Sequence, residues 1–461
     1  MTFWSDLEHF GNTPCVSGAV SLTYFDVARQ ADEVVAGVTG GLALILCGRN
    51  VATMLGYLGC LRNGIVPLML PDDISKTGVN KLIDRYRPTW AWASRQWLEE
   101  TLGVGVETGK TGAYEWVRLS DEVVTVAPQL ALLLTTSGTT ADPKLVRLSA
   151  RNLQSNASSI ADALAIDQHS KPITLLPFNY SFGLSVLNSH LNQGSTIVFS
   201  DASISSRDFW SCFKNEDVSS FYGVPYHYEM LKRFRFSRSE YPSLNLMAQA
   251  GGRMSESLKQ EFFQLGVEKG FKFVPMYGQT EATARISWLP SDYFDQKFSS
   301  VGVSIPGGKI SIHKPDASGV GEVLYEGPNV SLGYAMSKED LALGDENKGK
   351  LSTGDLGYLD DDGFLFLTGR KKRCVKVFGH NVNLDHLESI VREVVSETAV
   401  VGNENKVLVL SAGGCVDVLA ELLAERTTIQ SSAIAIKIVD SLIYTANGKI
   451  DYSELIRRYA E

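Results

Sequence analysis

The amino-acid sequence predicts an α/β protein with a large N-terminal body of mostly parallel sheets flanked by helices, a β-rich subdomain, and a small α+β C-terminal domain. Three observations lead to this prediction. From about residue 42, short apolar runs alternate with amphipathic stretches; after about residue 300, short strand-like pieces are broken by Gly, Pro and Asp; the pattern changes again near Arg370. The predicted domains are residues 1–369 and 370–461.

The first α/β unit begins with LALILCG, Leu42 to Gly48, an apolar run too short for a helix of the same apolarity. Asn50 can cap the helix that follows, and Gly64 can end it, before IVPLML returns as a strand. The same order recurs with the predicted strand ITLLP (residues 173–177), a helix over about 184–191, and later strands such as FYGVP and FKFVPMYG. This alternation indicates mostly parallel sheets covered by helices on both faces.

The later part of the chain predicts a different architecture. GEVLYEG and DLGYLDDDGFLFLTG are short apolar pieces separated by turn residues, which predicts antiparallel hairpins. After the basic turn GRKKR, the sequence predicts a strand VKVFG, a helix from about Leu384, a strand KVLVL, a helix to about Arg426, and a strand AIAIKIV.

Charge and composition exclude several classes of function. Lys and Arg number 43 against 52 Asp and Glu, a net charge of −9, and no long basic block occurs, so neither nucleic acid nor an anionic membrane surface is an expected partner. No stretch of 18 apolar residues and no basic-then-apolar leader is present, which predicts a cytoplasmic protein without a membrane span. Six cysteines without a C-x-x-C pair suggest neither a disulfide framework nor a zinc site.

The segment LLLTTSGTTADPK carries the first chemical signal. An apolar strand, Ala131 to Leu134, opens into small hydroxyl residues and a glycine and ends at a lysine: Thr136, Ser137, Gly138, Thr139, Thr140 and Lys144. Such residues let N–H and O–H groups converge on a polyphosphate, and the lysine adds positive charge. The segment therefore predicts a phosphate cradle, with a polar turn between strand and helix as the alternative. A Walker loop appears nowhere in the chain.

Four further motifs follow in order: AGGR with MYGQTEAT, STGDLGYLDDDGFLFLTGR, KVFG, and TANGKID. Together with the cradle, and over about 320 residues from Leu133 to Asp451, they resemble the adenylate-forming superfamily of acyl-CoA synthetases, aryl-CoA ligases, luciferases and peptide-synthetase adenylation domains. The resemblance implies an ATP-dependent carboxylate ligase that forms acyl-AMP and pyrophosphate. It also implies transfer of the acyl group to a pantetheine thiol, with ATP and Mg²⁺ as cofactors and CoA or a separate carrier protein as acceptor.

The resemblance assigns nucleotide-site roles to individual residues. Tyr277 is expected to pack against adenine, and Thr280 to offer its hydroxyl to the α-phosphate. Glu281 would supply the carboxylate oxygen that Mg²⁺ requires, while Asp355 would accept the ribose hydroxyls and Arg370 would donate to the same sugar. Three glycines complete this predicted site: Gly251, Gly252 and Gly278. The first two, in AGGR, would permit close approach of the backbone to adenine.

The C-terminal motifs receive roles in the same way. The resemblance makes Lys449 the catalytic lysine, which neutralises charge as the carboxylate meets the α-phosphate. The small domain is expected to be mobile and to reorient between the two steps, with Lys372 at the hinge. Lys376 and Gly379 would then face the active site during thioester formation, where Gly379 would permit close approach of the pantetheine arm.

Departures from the family pattern bear on the substrate. Ala141 stands where the cradle usually has glycine, and Tyr180 where a histidine is common. Ser181 occupies the position of an aspartate that pairs with the α-ammonium of amino acids in peptide-synthetase domains; a hydroxyl supplies no such charge, which disfavours an α-amino acid. The candidate acyl-pocket residues are Tyr180, Ser181, Val224, Pro225 and Tyr226. Two alternatives remain: transfer of the acyl group to an amine, and a catalytically silent homologue that only binds ligands.

Overall fold

The computed structural model describes residues 2–103, 114–135, 144–377, 380–403, 406–427, 429, 431–444 and 450–459. Within these ranges the strands are β1 (Pro14–Gly18), β2 (Leu22–Thr23), β3 (Leu42–Cys47), β4 (Val66–Pro71), β5 (Trp90–Ser94), β6 (Tyr114–Arg118), β7 (Leu130–Thr135), β8 (Leu145–Ser149), β9 (Ile197–Phe199), β10 (Ser220–Gly223), β11 (Leu246–Gln249), β12 (Lys272–Tyr277), β13 (Ser287–Trp288), β14 (Val303–Ser304), β15 (Lys309–His313), β16 (Gly321–Glu326), β17 (Gly333–Ala335), β18 (Lys350–Leu359), β19 (Leu365–Arg370), β20 (Cys374–Val377), β21 (His380–Asn383), β22 (Thr398–Gly402), β23 (Val407–Ser411) and β24 (Ile434–Ile438).

The α-helices in the same ranges are α1 (Tyr24–Val34), α2 (Val51–Arg62), α3 (Lys76–Tyr86), α4 (Arg95–Trp97), α5 (Ala150–Leu164), α6 (Ser181–Leu191), α7 (Arg207–Asn215), α8 (Pro225–Arg233), α9 (Glu256–Lys269), α10 (Phe294–Lys297), α11 (Leu384–Arg392), α12 (Val416–Arg426) and α13 (Tyr452–Tyr459). No helix in the described part of the chain has the length and apolarity to cross a bilayer.

A seven-stranded sheet, as described, runs in the order β17-β8-β7-β4-β3-β5-β6. Its central strands β7, β4, β3 and β5 are parallel, whereas β8, β17 and β6 add antiparallel edges. Both faces of β3 are covered: Leu42, Leu44 and Leu46 belong to one buried apolar cluster, and Ala43 and Ile45 to another. The predicted α/β class with helices on both faces is therefore confirmed, with hairpin edges added to the parallel centre.

The first α/β unit shows why these elements form where the sequence predicts. The Asn50 side chain accepts a hydrogen bond from the Thr53 N–H and caps α2. Gly64 has φ +68°, the left-handed conformation that a glycine adopts cheaply after a helix. A cap of the same kind begins α9, further along the chain, where the Ser255 hydroxyl accepts a hydrogen bond from the Leu258 N–H.

A second sheet has the order β10-β11-β12-β13-β14, in which the first three strands are parallel. The predicted strand over 173–177 is wrong, because that segment makes only isolated bridges, Pro172 to Ser220 and Ile173 to Val198. Its flanks explain the difference, since Pro172 and Pro177 have no N–H to donate to a ladder. A smaller sheet, β2-β1-β9, lies beside it.

The predicted hairpins form a four-stranded antiparallel sheet, β15-β16-β18-β19. Beyond it, β20 pairs with β21, and β22-β23-β24 form a sheet with its own apolar core around Leu387, Val391 and Val409. The basic turn GRKKR is not exposed throughout: Arg373 pairs with Asp385 and Glu388 and lies 3.9 Å from the Tyr452 ring centroid. The boundary at 369/370 stays a prediction.

Candidate active site

The strand register of the β18–β19 hairpin brings Asp355 opposite Arg370. Arg370 Nε donates to Asp355 Oδ1 at 2.9 Å, and the Tyr277 hydroxyl, at the end of β12, donates to Oδ2 at 2.5 Å. Asp355 is 5% exposed, and burial raises the pKa of its carboxyl, while Arg370 and the Tyr277 hydroxyl act in the opposite direction. Three predicted nucleoside-site residues, far apart in the sequence, are therefore in direct contact.

The residues after Tyr277 reach the predicted acyl pocket. A short 3₁₀ turn, Thr280–Ala282, follows β12, and Thr280 Oγ1 lies 3.3 Å from Ser181 Oγ at the start of α6. Gly278 permits this path, because a Cβ there would lie 1.9 Å from the Ala284 carbonyl oxygen. The predicted phosphate-binding hydroxyl and the predicted pocket hydroxyl are thus neighbours.

Glu281, the predicted metal ligand, contacts a residue that sequence reasoning missed. The Tyr334 hydroxyl on β17 donates to Glu281 Oε1 at 2.6 Å, and Lys144 Nζ lies 3.5 Å from the Tyr334 ring centroid. Burial, followed by the Glu281 charge, raises the pKa of the Tyr334 phenol. Tyr334 therefore connects Glu281 with Lys144, which is the only described residue of the predicted phosphate cradle. Tyr334 lies 53 residues after Glu281, and nothing in the sequence indicated that the two are in contact.

The donor set around Glu281 fits Mg²⁺ held mainly by ATP. No group of three or more His, Cys, Asp or Glu side chains that could hold a metal occurs among the described residues. Mg²⁺ commonly binds through one or two carboxylates and completes its shell with phosphate oxygens and water. Glu281 beside the Thr280 hydroxyl supplies such a partial set.

The acyl side of the site gathers five further predicted residues, the two glycines of AGGR and three candidate pocket residues. Gly251 has φ +82°, and a Cβ there would lie 2.1 Å from the Tyr180 hydroxyl and 3.1 Å from Val224 Cγ1. A Cβ at Gly252 would lie 3.3 Å from the ring of Pro225. Tyr226, by contrast, is 49% exposed, and its described ring contact is with His227; its place in the pocket stays a prediction.

The described residues leave part of the predicted site out. Thr136, Ser137, Gly138, Thr139 and Thr140 lie outside them, and so do Gly379 and Lys449. Lys376 lies on β20, and its side chain is outside the description. Lys372 is exposed in the short turn Lys371–Arg373 between β19 and β20.

Sequence reasoning also missed a buried polar group beside the acyl residues. Arg285 is 3% exposed and its guanidinium lies 3.9 Å from the Phe182 ring centroid. His190 is fully buried, which lowers the pKa of its imidazole to about 4, and its Nε2 lies 3.4 Å from the Tyr222 hydroxyl. The one available signal was a lone arginine in the otherwise apolar run ATARISWL.

This fold, with a carboxylate held by an arginine and a tyrosine next to a hydroxyl and carboxylate pair, fits one class of protein, a nucleotide-dependent enzyme of mixed α/β architecture. The family model described as AMP-binding enzyme matches residues 3–335, more than two thirds of the chain. The chain belongs to the AMP-binding enzyme family.

Relatives and solved structures agree with this assignment. The chain is 25% identical over 469 residues to the 2-succinylbenzoate–CoA ligase of Bacillus licheniformis, covering 94% of both chains. It is 29% identical to the oxalate–CoA ligase of Arabidopsis thaliana, over 59% of this chain and 55% of that protein. The predicted enzyme class, an AMP-forming acid ligase, is confirmed by the family and these relatives.

Solved structures share the fold over nearly the whole chain. The o-succinylbenzoate CoA synthetase of Bacillus subtilis in complex with AMP has a TM-score of 0.79 at 22% identity, covering 99% of this chain and 98% of that one. The ATP-bound MatB of Rhodopseudomonas palustris has a TM-score of 0.81 at 21% identity, covering 100% and 99%. Another structure of the Bacillus subtilis enzyme holds ATP and a magnesium ion, which are the cofactors predicted for this chain.

Proposed function

We propose that the protein activates a carboxylic acid as acyl-AMP, with release of pyrophosphate, and then transfers the acyl group to the thiol of CoA. The observation that carries this proposal is the segment 277–281. Tyr277 contacts Asp355, Thr280 contacts Ser181, and Glu281 contacts Tyr334 beside Lys144. One five-residue segment thereby joins the proposed nucleoside, acyl and phosphate regions.

In the first step, a carboxylate oxygen of the acid attacks the α-phosphorus of ATP, a new O–P bond forms, and pyrophosphate leaves with the electron pair of the broken bond. The chain holds the sugar through Asp355 and Arg370 and places the Thr280 hydroxyl by the α-phosphate. Bound Mg²⁺ would supply positive charge to the phosphates, with Glu281 as its protein ligand. Lys449 would offset the remaining repulsion between the two anions.

In the second step, the thiol of CoA gives up its proton to solvent and its sulfur attacks the acyl carbon; a C–S bond forms, the bond from the acyl carbon to the phosphate oxygen breaks, and AMP leaves with that electron pair. We assign the switch from adenylate formation to thioester formation to a movement of residues 370–461 about Lys372. Two anchored arginines flank that residue: Arg370 donates to Asp355, whereas Arg373 pairs with Asp385 and Glu388 on α11. The backbone between them is a short turn in which Lys371 pairs with Glu322 and Lys372 is exposed, and we place the rotation there.

We propose a class of acid substrate rather than a single acid. Ligases of 2-succinylbenzoate, oxalate and indoleacetate are all relatives of this chain, so the family position alone leaves the acid open. Because Ser181 carries no charge to pair with an α-ammonium group, we expect simple acyl or aryl acids to be better substrates than α-amino acids. A cytoplasmic location stays a prediction.

The test is pyrophosphate release from ATP across a panel of carboxylic acids, each with and without CoA. We expect AMP and pyrophosphate in equal amounts, and acyl-CoA only when CoA is added. Stoichiometric ADP and phosphate would contradict attack at the α-phosphorus. Replacing CoA by a phosphopantetheinylated carrier protein or by an amine in the same assay separates the thiol acceptor from the alternatives.

A further inference from the structure

Arg285 is a buried cation that the proposed chemistry does not use. It lies between the Thr280–Ala282 turn and β13, and only 3% of it is exposed. Its Nε donates to Met276 Sδ at 3.4 Å and its Nη1 to the Ala284 carbonyl oxygen at 3.4 Å. The bond to the carbonyl oxygen is long, the thioether sulfur is a weak acceptor, and no carboxylate of the described residues forms an ion pair with Arg285. Burial lowers the pKa of this guanidinium to about 10.

The same chain shows how a structural arginine is satisfied. Arg147 is fully buried, yet it pairs with Glu346 and donates to the carbonyl oxygens of Tyr334 and Leu332 at 3.1 Å and of Gly344 at 3.2 Å. A guanidinium carries five N–H donors, and burying one without an anion is expensive. Arg285 therefore has donor capacity and charge that its described surroundings do not match.

The surroundings of Arg285 are those of the proposed acyl pocket. Its guanidinium stacks on Phe182, the residue after Ser181, and Ser181 contacts Thr280. Phe182 and Met276 belong to the same buried apolar cluster as Tyr180 and Val224. The unmatched cation thus lies next to the groups that would hold the acid, on the same segment of chain as the proposed phosphate-binding residues.

We propose that Arg285 is a specificity-determining residue that pairs with a second carboxylate of the substrate, at the end remote from the carboxylate that is adenylated. The substrate class is then a dicarboxylic acid. The planar fork of a guanidinium matches a carboxylate in a bidentate arrangement, and an apolar surrounding strengthens such a pair. This inference rests on the proposed ligase function and deepens it. The same positive charge also disfavours an ammonium group in the pocket.

The test compares matched pairs of acids on the full-length enzyme with ATP and Mg²⁺: glutarate against pentanoate, adipate against hexanoate, and 4-carboxyphenylacetate against 4-methylphenylacetate. The measure is the ratio of kcat/KM for pyrophosphate release within a pair. We expect the dicarboxylic acid to be favoured by about 10- to 100-fold in the pair that fits the pocket, the range for one charge-assisted pair. A wild-type preference for the monoacid in every pair would overturn the inference.

Arg285→Met should reverse the preference within that pair, and Arg285→Lys should retain part of it. Because both acids are assayed on one preparation, a loss of folded protein cancels in the ratio. Arg118→Met is the matched control, since Arg118 also lies over an aromatic ring, Trp90, but is exposed and pairs with Asp121; its ratio should equal the wild-type value. An unchanged ratio in Arg285→Met would refute the assignment. If Arg285→Met has no activity with either acid, the preference of the wild-type enzyme alone decides the question. Absence of pyrophosphate release with every acid would instead contradict the proposed function.

Discussion

The Tyr277 hydroxyl can be removed without removing the ring that is predicted to pack against adenine. In Tyr277→Phe, Asp355 loses one of its two described hydrogen-bond donors, at a carboxylate that is 5% exposed. A hydrogen bond to a charged group contributes about 1.5–3 kcal/mol. Taking an unfolding entropy of about 2.1 cal/mol/K per residue over roughly 370 residues, the thermal midpoint should fall by about 2–4 °C at neutral pH.

The loss should depend on pH, because the lost bond stabilises the ionised carboxyl. Burial already raises the pKa of Asp355, and the Tyr277 donor opposes that rise, so the variant should raise the pKa further. The destabilisation is therefore fully present above the folded-state pKa of Asp355 and is lost as the pH falls through it. For the same reason, the acid limb of kcat/KM for ATP should move to higher pH.

Tyr228→Phe is the matched control. Tyr228 is also buried, but its hydroxyl donates at 2.8 Å to the uncharged carbonyl oxygen of Ala248. Its loss should cost about 1 kcal/mol at every pH, or about 1 °C, and should leave the acid limb in place. If Tyr277→Phe lowers the midpoint equally at all pH values, or moves the acid limb no more than this control, the Tyr277 hydroxyl does not hold Asp355 in its ionised form.

Four further outcomes are expected. Lys449→Ala should lower adenylation by roughly 10²-fold but spare thioester formation from supplied acyl-adenylate; equal losses would contradict domain alternation. Lys372→Pro, which fixes φ and removes an N–H, should impair thioester formation far more than pyrophosphate release, and equal impairment would place the pivot elsewhere. Simple acids should exceed the matching α-amino acids in pyrophosphate release, and the reverse preference would require another carboxylate in the pocket. Gly278→Ala should lower the thermal midpoint well beyond Gly344→Ala, because a Cβ at Gly278 would lie 1.9 Å from the Ala284 carbonyl oxygen, whereas one at Gly344 would meet only Gln129 Nε2 at 3.7 Å; similar losses would contradict the tight fit.

Local sequence signals predicted local structure well. Asn50 was identifiable as a helix cap because a side-chain oxygen before an apolar stretch satisfies free N–H groups. The contact between Asp355 and Arg370 was predictable only in part: both residues belong to one predicted hairpin, but a register shift between Leu356 and Gly357 brings them opposite each other. By contrast, the prolines around residues 173–177 outweighed an apolar pattern that predicted a strand.

Contacts between distant segments could not be predicted in this way. The motifs gave the order of Tyr277 and Asp355 along the chain but not the hydrogen bond that joins them across 78 positions. Tyr334 belongs to no motif, and it reaches Glu281 only because β17 pairs with β8. The sequence showed Arg285 only as a single charge between less polar residues. Its burial and its few hydrogen bonds could not be predicted, because they depend on three-dimensional packing.

The tight packing at Gly278 limits how this enzyme could be redesigned. Because even a methyl group there would collide with the Ala284 carbonyl oxygen, the backbone of segment 277–281 has no space in which to be reshaped. A library that aims at new acids would therefore gain little from this segment. The side chains to vary are instead Tyr180 and Val224, which lie in the buried apolar cluster of the proposed acyl pocket, next to Gly251.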